Sequence, residues 1–327
     1  MSQQLKVVKM TKLITGLHHI TALASDPQKN FDFYAGVLGL RLVKKTINFD
    51  APETYHLYYG NEQGSPGTIM TFFPYPGIPK GRRGKGQLIT TSFSISENAM
   101  EYWIKRLDKL RITHGDPQQR FEDELFMYLE DHDGLGLELV SNKRDMRQGF
   151  TDGNIPSEYA LKGFYGITLS EEGYEKTASL LTGQMDHRLI KEKGNRFRYS
   201  SSGTPGGFVD LLCNPDALRG QAGAGTIHHV AFATANESTQ LEARHKLMQS
   251  GFNITPVLDR EYFHSIYFRE PGGVLFEIAT IPPGFTVDED LAHLGENLKL
   301  PSWQEKNRII IEKELLPIRQ DLQRFVD

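Results

Sequence analysis

The sequence has almost no cysteine. Cys213 is the single one among 327 residues, which excludes an internal disulfide framework and a zinc site built on cysteine ligands. No apolar run approaches the roughly 20 residues that a transmembrane helix needs. The segment from Met1 to Lys12 is polar and basic and lacks the apolar stretch of a signal peptide. Together these absences predict a cytoplasmic protein.

The chain also lacks an excess of positive charge. Lysine and arginine number 37 against 41 aspartate and glutamate residues, so the formal net charge is −4, which is unlike a nucleic-acid-binding surface. The basic loop at 77–86 lacks the G-K-S/T ending of a phosphate-binding P-loop. A dinucleotide fingerprint, a flavin motif and a nucleophile elbow are missing as well. We therefore expect neither nucleic acid nor a membrane as a partner.

The sequence does contain two similar strand openings, each with adjacent histidines. They read G-L-H-H-I-T at 16–21 and T-I-H-H-V-A at 226–231. A third segment, P-G-G-V-L-F-E-I-A at 271–279, puts Glu277 in an otherwise apolar strand. An ionised carboxylate is costly to bury there without a cationic partner. Two histidines and one carboxylate form the ligand set of a facial-triad iron site.

The alternative is that these histidines lie in the core, with their ring nitrogens hydrogen-bonded to the backbone. The duplicated pair together with Glu277 favours metal ligation instead. Adjacent strand residues point to opposite faces. We therefore expect only one histidine of each pair to face a common cavity.

A fourfold internal repeat explains why there is a single site. Each module is predicted as a strand, a helix and three further strands. The module ends align as G-T-I-M-T (67–71), G-L-G-L-E (134–138), G-F-V-D (207–210) and G-V-L-F-E (273–277). Only modules one and four begin with histidines, and only module four adds a terminal glutamate. Modules two and three end in Glu138 and Asp210 without a histidine, so both carboxylates are expected to be structural.

Apolar periodicity and cap residues predict the individual elements. Helices are predicted near 27–38, 99–110, 171–181, 238–249 and 303–325. Strands are predicted at 17–24, 41–49, 55–59, 68–73, 88–95, 126–130, 136–140, 164–169, 196–200, 208–212, 227–234, 255–258, 265–269 and 274–280. The polar stretch at 141–162 is interpreted as a linker. The result is an α+β fold with a first domain over 13–145, a second over 160–283, and a C-terminal tail and helix over 284–327.

The two histidine-bearing strand openings resemble those of the vicinal oxygen chelate (glyoxalase/bleomycin-resistance/dioxygenase) superfamily, and within it those of the hydroquinone-type ring-cleaving extradiol dioxygenases. Four more segments carry the resemblance, which covers most of the chain: Y-H-L-Y-Y-G-N-E-Q-G-S-P-G-T-I-M-T-F-F-P (55–74), R-R-G-K-G (82–86), Y-F-H-S-I-Y-F-R-E-P-G-G-V-L-F-E (262–277) and G-F-T-V-D-E-D (284–290). It implies four βαβββ modules forming two domains, with the site between modules one and four.

The resemblance also implies the cofactor. Fe(II) would be bound by His19, His229 and Glu277, with Mn, Zn or Ni as substitutes in a purified sample. The first histidines of the two pairs, His18 and His228, would take supporting roles beside the metal.

Substrate contacts are implied for Arg260 and Tyr267. Tyr267 lies ten residues before Glu277, on a strand expected to pair with the strand of Glu277; the alternative is an ordinary cross-strand aromatic. Arg260 suits an anionic phenolate oxygen, and the alternative is a solvated loop charge. His264 stands where a carboxylate is expected from a related enzyme, and we interpret it as a surface or supporting residue.

The combined prediction is a Fe(II)-dependent ring-cleaving dioxygenase that acts on hydroquinone-like phenolic aromatics. Its partners would be a small aromatic substrate and dioxygen, and its assembly a homo-oligomer. Two alternatives stay open. One is a glyoxalase-like isomerase or thiol transferase using Zn, Ni or Mn, for which a fourth protein ligand is expected where Thr71 stands. The other is a non-catalytic small-molecule-binding protein on the same fold, although such a binder has no need of three good metal ligands.

Overall fold

The computed structural model describes residues 12–326, so the prediction about a signal peptide in the first eleven residues lies outside the described residues. Within that range the chain forms four successive modules. Each has a strand, a helix and three further strands. The predicted α+β fold of four βαβββ modules is therefore confirmed.

The elements of the first two modules are as follows. Module one comprises β1 (Gly16–Ala24), α1 (Pro27–Phe31), β2 (Arg41–Asn48), β3 (Ala51–Gly60) and β4 (Ile69–Pro74). Module two comprises β5 (Gln87–Ile95), α2 (Met100–Lys109), β6 (Gln118–Arg120), β7 (Glu124–Glu130) and β8 (Gly136–Ser141).

The second half of the chain repeats this order. Module three comprises β9 (Phe164–Glu171), α3 (Glu175–Gly183), β10 (Arg188–Lys193), β11 (Arg196–Ser200) and β12 (Phe208–Cys213). Module four comprises β13 (Thr226–Thr234), α4 (Glu237–Gln249), β14 (Leu258–Asp259), β15 (Phe263–Arg269) and β16 (Leu275–Pro283). A short helix, α5 (Arg308–Glu314), follows in the C-terminal tail.

Local sequence marks the start of two helices, α1 and α4. The Asp26 side chain accepts a hydrogen bond from the backbone N–H of Lys29 at 2.9 Å, and Pro27 occupies the first turn of α1. At α4, Asn236 and Thr239 form a reciprocal capping box. These side chains satisfy backbone N–H groups that the first helical turn leaves without a partner.

The strands form two eight-stranded sheets, and each sheet joins modules from opposite halves of the chain. The first sheet has the order β14-β15-β16-β13-β1-β4-β3-β2, and the second has the order β10-β11-β12-β9-β5-β8-β7-β6. In the first sheet β1 pairs antiparallel with β13, and each pairs in parallel with the last strand of its own module. The prediction that modules one and four lie side by side is confirmed. The boundaries 13–145, 160–283 and 284–327 stay predictions.

One large cluster of buried side chains runs through both sheets. It includes aromatic residues from several modules, among them Tyr34, Phe72, Trp103, Phe164 and Phe232. Burying a large apolar side chain contributes roughly 1.5–3 kcal/mol, so this shared core stabilises the contact between the sheets. None of the helices in the described part of the chain is both long enough and apolar enough to cross a membrane.

Some predicted bounds are wrong in modules three and four. Helix α3 begins at Glu175, because Glu171 is still paired with Cys213 in the parallel ladder of β9 and β12. The predicted strand at 255–258 is reduced to Leu258–Asp259. Thr255 bonds instead to Tyr267, through its backbone N–H at 3.1 Å and its hydroxyl at 3.0 Å.

Strands β6 and β10 were not predicted from the sequence. Both lie at the edges of the second sheet, and most of their residues are exposed or half-buried. A solvated edge strand carries polar and charged side chains, so the apolar pattern that indicates a strand is missing there.

The C-terminal helix exists but is much shorter than the predicted span of 303–325. Its α-helical part is α5, and the backbone becomes extended at Leu315. Pro317 follows two residues later. The residue before a proline is restricted away from helical geometry, which ends the helix there.

Candidate metal centre

Three side chains converge on one point at the middle of the first sheet. The Nε2 atoms of His19 on β1 and His229 on β13 are 3.2 Å apart. Oε2 of Glu277 on β16 lies 3.3 Å from His19 Nε2 and 3.0 Å from His229 Nε2. All three residues are buried. Among residues 12–326, they are the one group of three or more His, Cys, Asp and Glu side chains close enough to hold a single ion.

The arrangement fits a metal ion. Glu277 Oε1 accepts a hydrogen bond from the Ser265 hydroxyl, but the fully buried Oε2 has no hydrogen bond within the described part of the chain. A buried carboxylate oxygen without a partner is costly, and a bound cation would remove that cost. A carboxylate with two imidazoles is a donor set suited to divalent transition metals.

The other nitrogen of each converging histidine is held by the histidine before it. His18 Nδ1 lies 2.9 Å from His19 Nδ1, and His228 Nδ1 lies 2.7 Å from His229 Nδ1. Burial lowers the pKa of His18 to about 3, so its ring is neutral and its Nδ1 can accept a proton from His19. This orientation leaves the Nε2 lone pairs facing the centre, which is how ligating histidines are usually oriented.

A β-bulge in each strand positions these pairs. In the ladder between β1 and β13, His18 is skipped between the paired residues Leu17 and His19. On the other strand, His228 is skipped between the paired residues Ile227 and His229. A bulge re-aims a side chain. As a result His228 lines the same cleft as His229. The prediction that only one histidine of each pair faces the cavity is therefore wrong for this second pair.

The centre opens into a cleft of about 470 Å³ between modules one and four. Leu23, Phe73 and Phe263 supply apolar surface, and His56 and Tyr58 line the side formed by module one. His18 does not line the cleft in the described structure; it lies behind His19, against the ring of Phe263. The volume and the mixed lining suit a small aromatic molecule.

Tyr267 and Arg260 meet on the module-four side of this cleft. Tyr267 is the cross-strand partner of Glu277, as the sequence predicts, and its ring lies 5.8 Å from the ring of His229, edge to face. Arg260 Nε donates to the Tyr267 hydroxyl at 3.2 Å, and its guanidinium lies 5.4 Å from the Tyr267 ring centroid. Burial, followed by the charge of Glu277, raises the pKa of Tyr267, so the phenol keeps its proton at neutral pH.

Several residues at the site were not predicted from the sequence. The Thr21 hydroxyl lies 2.8 Å from His229 Nε2 and 2.7 Å from the Thr71 hydroxyl. His56 Nε2 lies 3.0 Å from the same Thr71 oxygen. Thr21 follows His19 by two positions, so strand periodicity indicates that it shares a face with His19. His56 had no comparable signal, because its contact with Thr71 depends on the register of β3.

The second sheet has ion pairs at the corresponding place. Arg120 binds both carboxylate oxygens of Glu138, at 3.1 and 3.0 Å. Arg198 donates to Asp210 at 2.6 and 2.8 Å and lies opposite it in the ladder. The predicted structural roles of Glu138 and Asp210 are confirmed. His264 points away from the cleft, and its Nδ1 lies 2.9 Å from Glu237.

Comparisons with known proteins identify the family of the chain. A family model described as the Glyoxalase/Bleomycin resistance protein/Dioxygenase superfamily matches residues 16–139 and 166–278. The chain is 46% identical over 308 residues to the "Putative ring-cleaving dioxygenase MhqO" of Bacillus subtilis (strain 168), covering 94% of this chain and 98% of that one. It is 33% identical over 324 residues to the chlorohydroquinone/hydroquinone 1,2-dioxygenase of Sphingobium indicum, covering 96% of this chain and 99% of that one. A crystal structure of a "putative dioxygenase" from Bacillus subtilis is 46% identical, with a TM-score of 0.91 over 95% of this chain and 99% of that one.

Proposed function

The chain belongs to the Glyoxalase/Bleomycin resistance protein/Dioxygenase superfamily, and from that premise we propose that it is a Fe(II)-dependent ring-cleaving dioxygenase of hydroquinone-like phenolic aromatics. The names of two relatives support this chemistry, since one is called a "Putative ring-cleaving dioxygenase" and the other a chlorohydroquinone/hydroquinone 1,2-dioxygenase. The metal, the substrate class and the roles of individual residues are parts of the proposal.

The observation that carries the proposal is a buried set of two histidines and one carboxylate that faces an open cleft. In module one, the position that aligns with Glu277 is Thr71, whose hydroxyl bonds to Thr21 and His56. A fourth protein ligand is therefore missing from the described site. Three ligands with open positions are typical of non-haem iron oxygenases, whereas an isomerase of the glyoxalase type would be expected to have a fourth.

Bound Fe(II) would supply open coordination positions for a substrate phenolate and for dioxygen, together with the redox chemistry that connects them. The residues that would hold it are His19, His229 and Glu277. His18 and His228 would orient the two ligand rings by accepting their Nδ1 protons. Ser265 would fix the carboxylate through Oε1.

The cleft residues would bind and orient the ring and supply a proton. The Arg260 guanidinium is positively charged and only about one-fifth exposed, so it would attract an anionic oxygen of the substrate. The Tyr267 hydroxyl retains its proton and would act as a general acid toward oxygen atoms that develop negative charge. His228 lines the same cleft, and because its Nδ1 would accept from His229, its Nε2 would carry a proton and act as a donor there.

The test is oxygen uptake by protein loaded anaerobically with Fe(II), measured across a panel of hydroquinones and catechols. We expect uptake with hydroquinones and the appearance of a ring-opened product. Glu277→Gln should abolish both metal binding and uptake, because one of three ligands is lost. Glu138→Gln is the matched control: it lies at the same module position in the second sheet and should retain both.

The result that would contradict the proposal is equally specific. If hydroquinones and catechols give no oxygen uptake while a glutathione hemithioacetal is converted anaerobically, the isomerase function is correct. If the protein binds phenols but turns over none of these compounds with any of Fe(II), Mn(II), Zn(II) or Ni(II), it is a binding protein.

A further inference from the structure

Module one alone has no carboxylate at the aligned position in its last strand. The aligned terminal residues are Thr71, Glu138, Asp210 and Glu277, so three modules end in a carboxylate and one ends in a hydroxyl. Thr71 lies beside Thr21 of β1 just as Glu277 lies beside Ala231 of β13. Thr71 therefore occupies the position that is pseudosymmetric to the carboxylate of the metal centre.

The Thr71 hydroxyl is part of a hydrogen-bonded chain that leads to the centre. The Tyr58 hydroxyl lies 2.8 Å from His56 Nδ1, and His56 Nε2 lies 3.0 Å from Thr71 Oγ1. Thr71 Oγ1 is 2.7 Å from Thr21 Oγ1, which is 2.8 Å from His229 Nε2. Tyr58 and both threonines are buried, and His56 is half-buried between the rings of Tyr58 and Phe73.

The chemistry of these groups gives the chain a direction. Desolvation, together with the nearby His19 and His229, lowers the pKa of His56 well below its usual range, so the ring is neutral with one donor and one acceptor nitrogen. His56 is the hydrogen-bond partner found for the buried Tyr58 hydroxyl in residues 12–326. A buried hydroxyl proton needs an acceptor, so Tyr58 donates to Nδ1.

Each following bond is then determined. His56 carries its proton on Nε2 and donates to Thr71, Thr71 donates to Thr21, and the Thr21 proton points to His229 Nε2. When His229 Nε2 binds a metal, that nitrogen no longer accepts a hydrogen bond. The Thr21 proton is then free for an oxygen atom that binds beside it.

We propose that His56 and Thr71 are positioning residues that orient the Thr21 hydroxyl as a hydrogen-bond donor to an anionic oxygen ligand at the metal. This inference rests on the proposed function for the identity of that ligand, a phenolate oxygen. Thr71 stands where a carboxylate would be a fourth ligand to the metal. Its hydroxyl thus orients a hydrogen-bond donor toward the substrate oxygen that would bind in place of that ligand. A hydrogen bond to a charged oxygen is stronger than one to a neutral oxygen, so the chain selects the ionised form of a phenol.

The experiment uses Zn(II)-loaded protein and 4-nitrocatechol, whose ionisation is visible by absorbance and which avoids oxygen chemistry. Thr71→Val keeps the shape of the side chain and removes the hydroxyl. We expect it to weaken binding of the probe about 10-fold and to raise the pH at which the bound probe ionises by about one unit. His56→Phe should reproduce both effects, and Thr71→Ser should restore both.

Two further measurements separate positioning from a merely structural role. Zn(II) affinity, measured by competition with a chromophoric chelator, should be unchanged in Thr71→Val and His56→Phe. The double variant should be no worse than either single variant, because both break the same chain. The proposal is overturned if the probe bound to Thr71→Val ionises at the same pH as the probe bound to the wild type. It is also overturned if the variant loses affinity for the probe and for Zn(II) together.

The outcome is distinguishable from failure of the proposed function. The Zn(II)-loaded protein reports hydrogen bonding to a bound phenolate whether or not the Fe(II)-loaded protein consumes oxygen. Absence of oxygen uptake with an intact Thr71 effect would leave the positioning role in place and reject the dioxygenase activity. Normal oxygen uptake without a Thr71 effect would support the dioxygenase activity and reject the positioning role.

Discussion

At the scale of single residues, the four modules repeat one cross-strand pair with different chemistry. The partner of the terminal residue is Tyr58 opposite Thr71, Tyr128 opposite Glu138, Arg198 opposite Asp210 and Tyr267 opposite Glu277. Asp210 forms an ion pair with Arg198 directly across the ladder, and Glu138, which has Tyr128 opposite it, is paired instead with Arg120 of the edge strand. Among the described residues Glu277 has only histidines within ion-pair distance. The presence or absence of a nearby arginine therefore separates the carboxylates that build salt bridges from the one at the candidate metal centre.

The pair in module four leads to a prediction for catalysis. Tyr267→Phe should lower kcat by about 10²-fold if the hydroxyl acts as a general acid, and it should leave metal affinity unchanged because Tyr267 is not a proposed ligand. Steady-state oxygen uptake and a metal titration on the same samples provide the measurements. Tyr128→Phe removes the equivalent hydroxyl from the second sheet and should have wild-type kcat. A Tyr267→Phe enzyme with unchanged kcat would remove the proton-donor role.

At the scale of elements, the segment after β16 is fastened to β2 by a buried ion pair. Lys44 is fully buried, and its Nζ lies 2.6 Å from Asp288 and 2.5 Å from Glu289. The backbone of the neighbouring residue, Lys45, forms an isolated parallel β-bridge with the backbone of Leu298. A chain segment with little regular structure is thus held against the sheet by charge pairing.

Breaking this ion pair should release the segment. Lys44→Met removes the cation from the buried Glu289, which keeps only long backbone hydrogen bonds from Gly295 and Asn297, and we expect the free energy of unfolding to fall by about 3 kcal/mol. Denaturant unfolding and limited proteolysis after residue 284 would measure the two effects. Lys45→Met is the matched control, since the Lys45 amine hydrogen-bonds to the carbonyl oxygen of Glu296 at 3.1 Å and forms no ion pair at contact distance among the described residues. Equal stability of the two variants would contradict the fastening role.

At the scale of the whole molecule, an unpaired carboxylate lies where the two sheets meet. Glu171 at the end of β9 has both carboxylate oxygens buried and without a hydrogen-bond partner among the described residues. Its carboxylate packs so closely on Gly272 of module four that a Cβ there would lie 1.7 Å from Oε2. Burial, followed by the charge of Glu270, raises the pKa of Glu171 from 4.5 to about 8.

This pKa makes stability depend on pH. Between about pH 4.5 and 8 the folded protein holds a proton that the unfolded chain has lost, so stability falls as pH rises through this window. Glu171→Gln is neutral throughout and should be about 1 kcal/mol more stable than the wild type at pH 8.5, which is about 3 °C in Tm. At pH 5 the two should melt together. Calorimetry at pH 5 and pH 8.5 measures the Tm of both proteins, and the substitution of the exposed Glu172 by Gln is the control. An equal Tm of wild type and Glu171→Gln at pH 8.5 would exclude an unpaired charge at Glu171.

Sequence patterns predicted most of the fold because they reflect local physics. Apolar strands such as β1 and β13 stand out in any window of residues, and Asp26 and Pro27 mark a helix start without reference to the rest of the chain. The edge strands β6 and β10 carried no such signal, because their side chains face solvent. The helix after residue 303 was predicted too long, because apolar spacing does not register the effect of Pro317.

For the site, the sequence by itself determined which residues can bind a metal and in which modules they lie. Two duplicated histidine pairs and a glutamate in an apolar strand are chemical facts that need no coordinates. The tertiary structure decided how the neighbours act: the bulges that bring His228 into the cleft and the chain from Tyr58 through His56 to Thr71. Bulges and cross-strand contacts depend on the register between distant strands, and register is fixed only when the modules pack together.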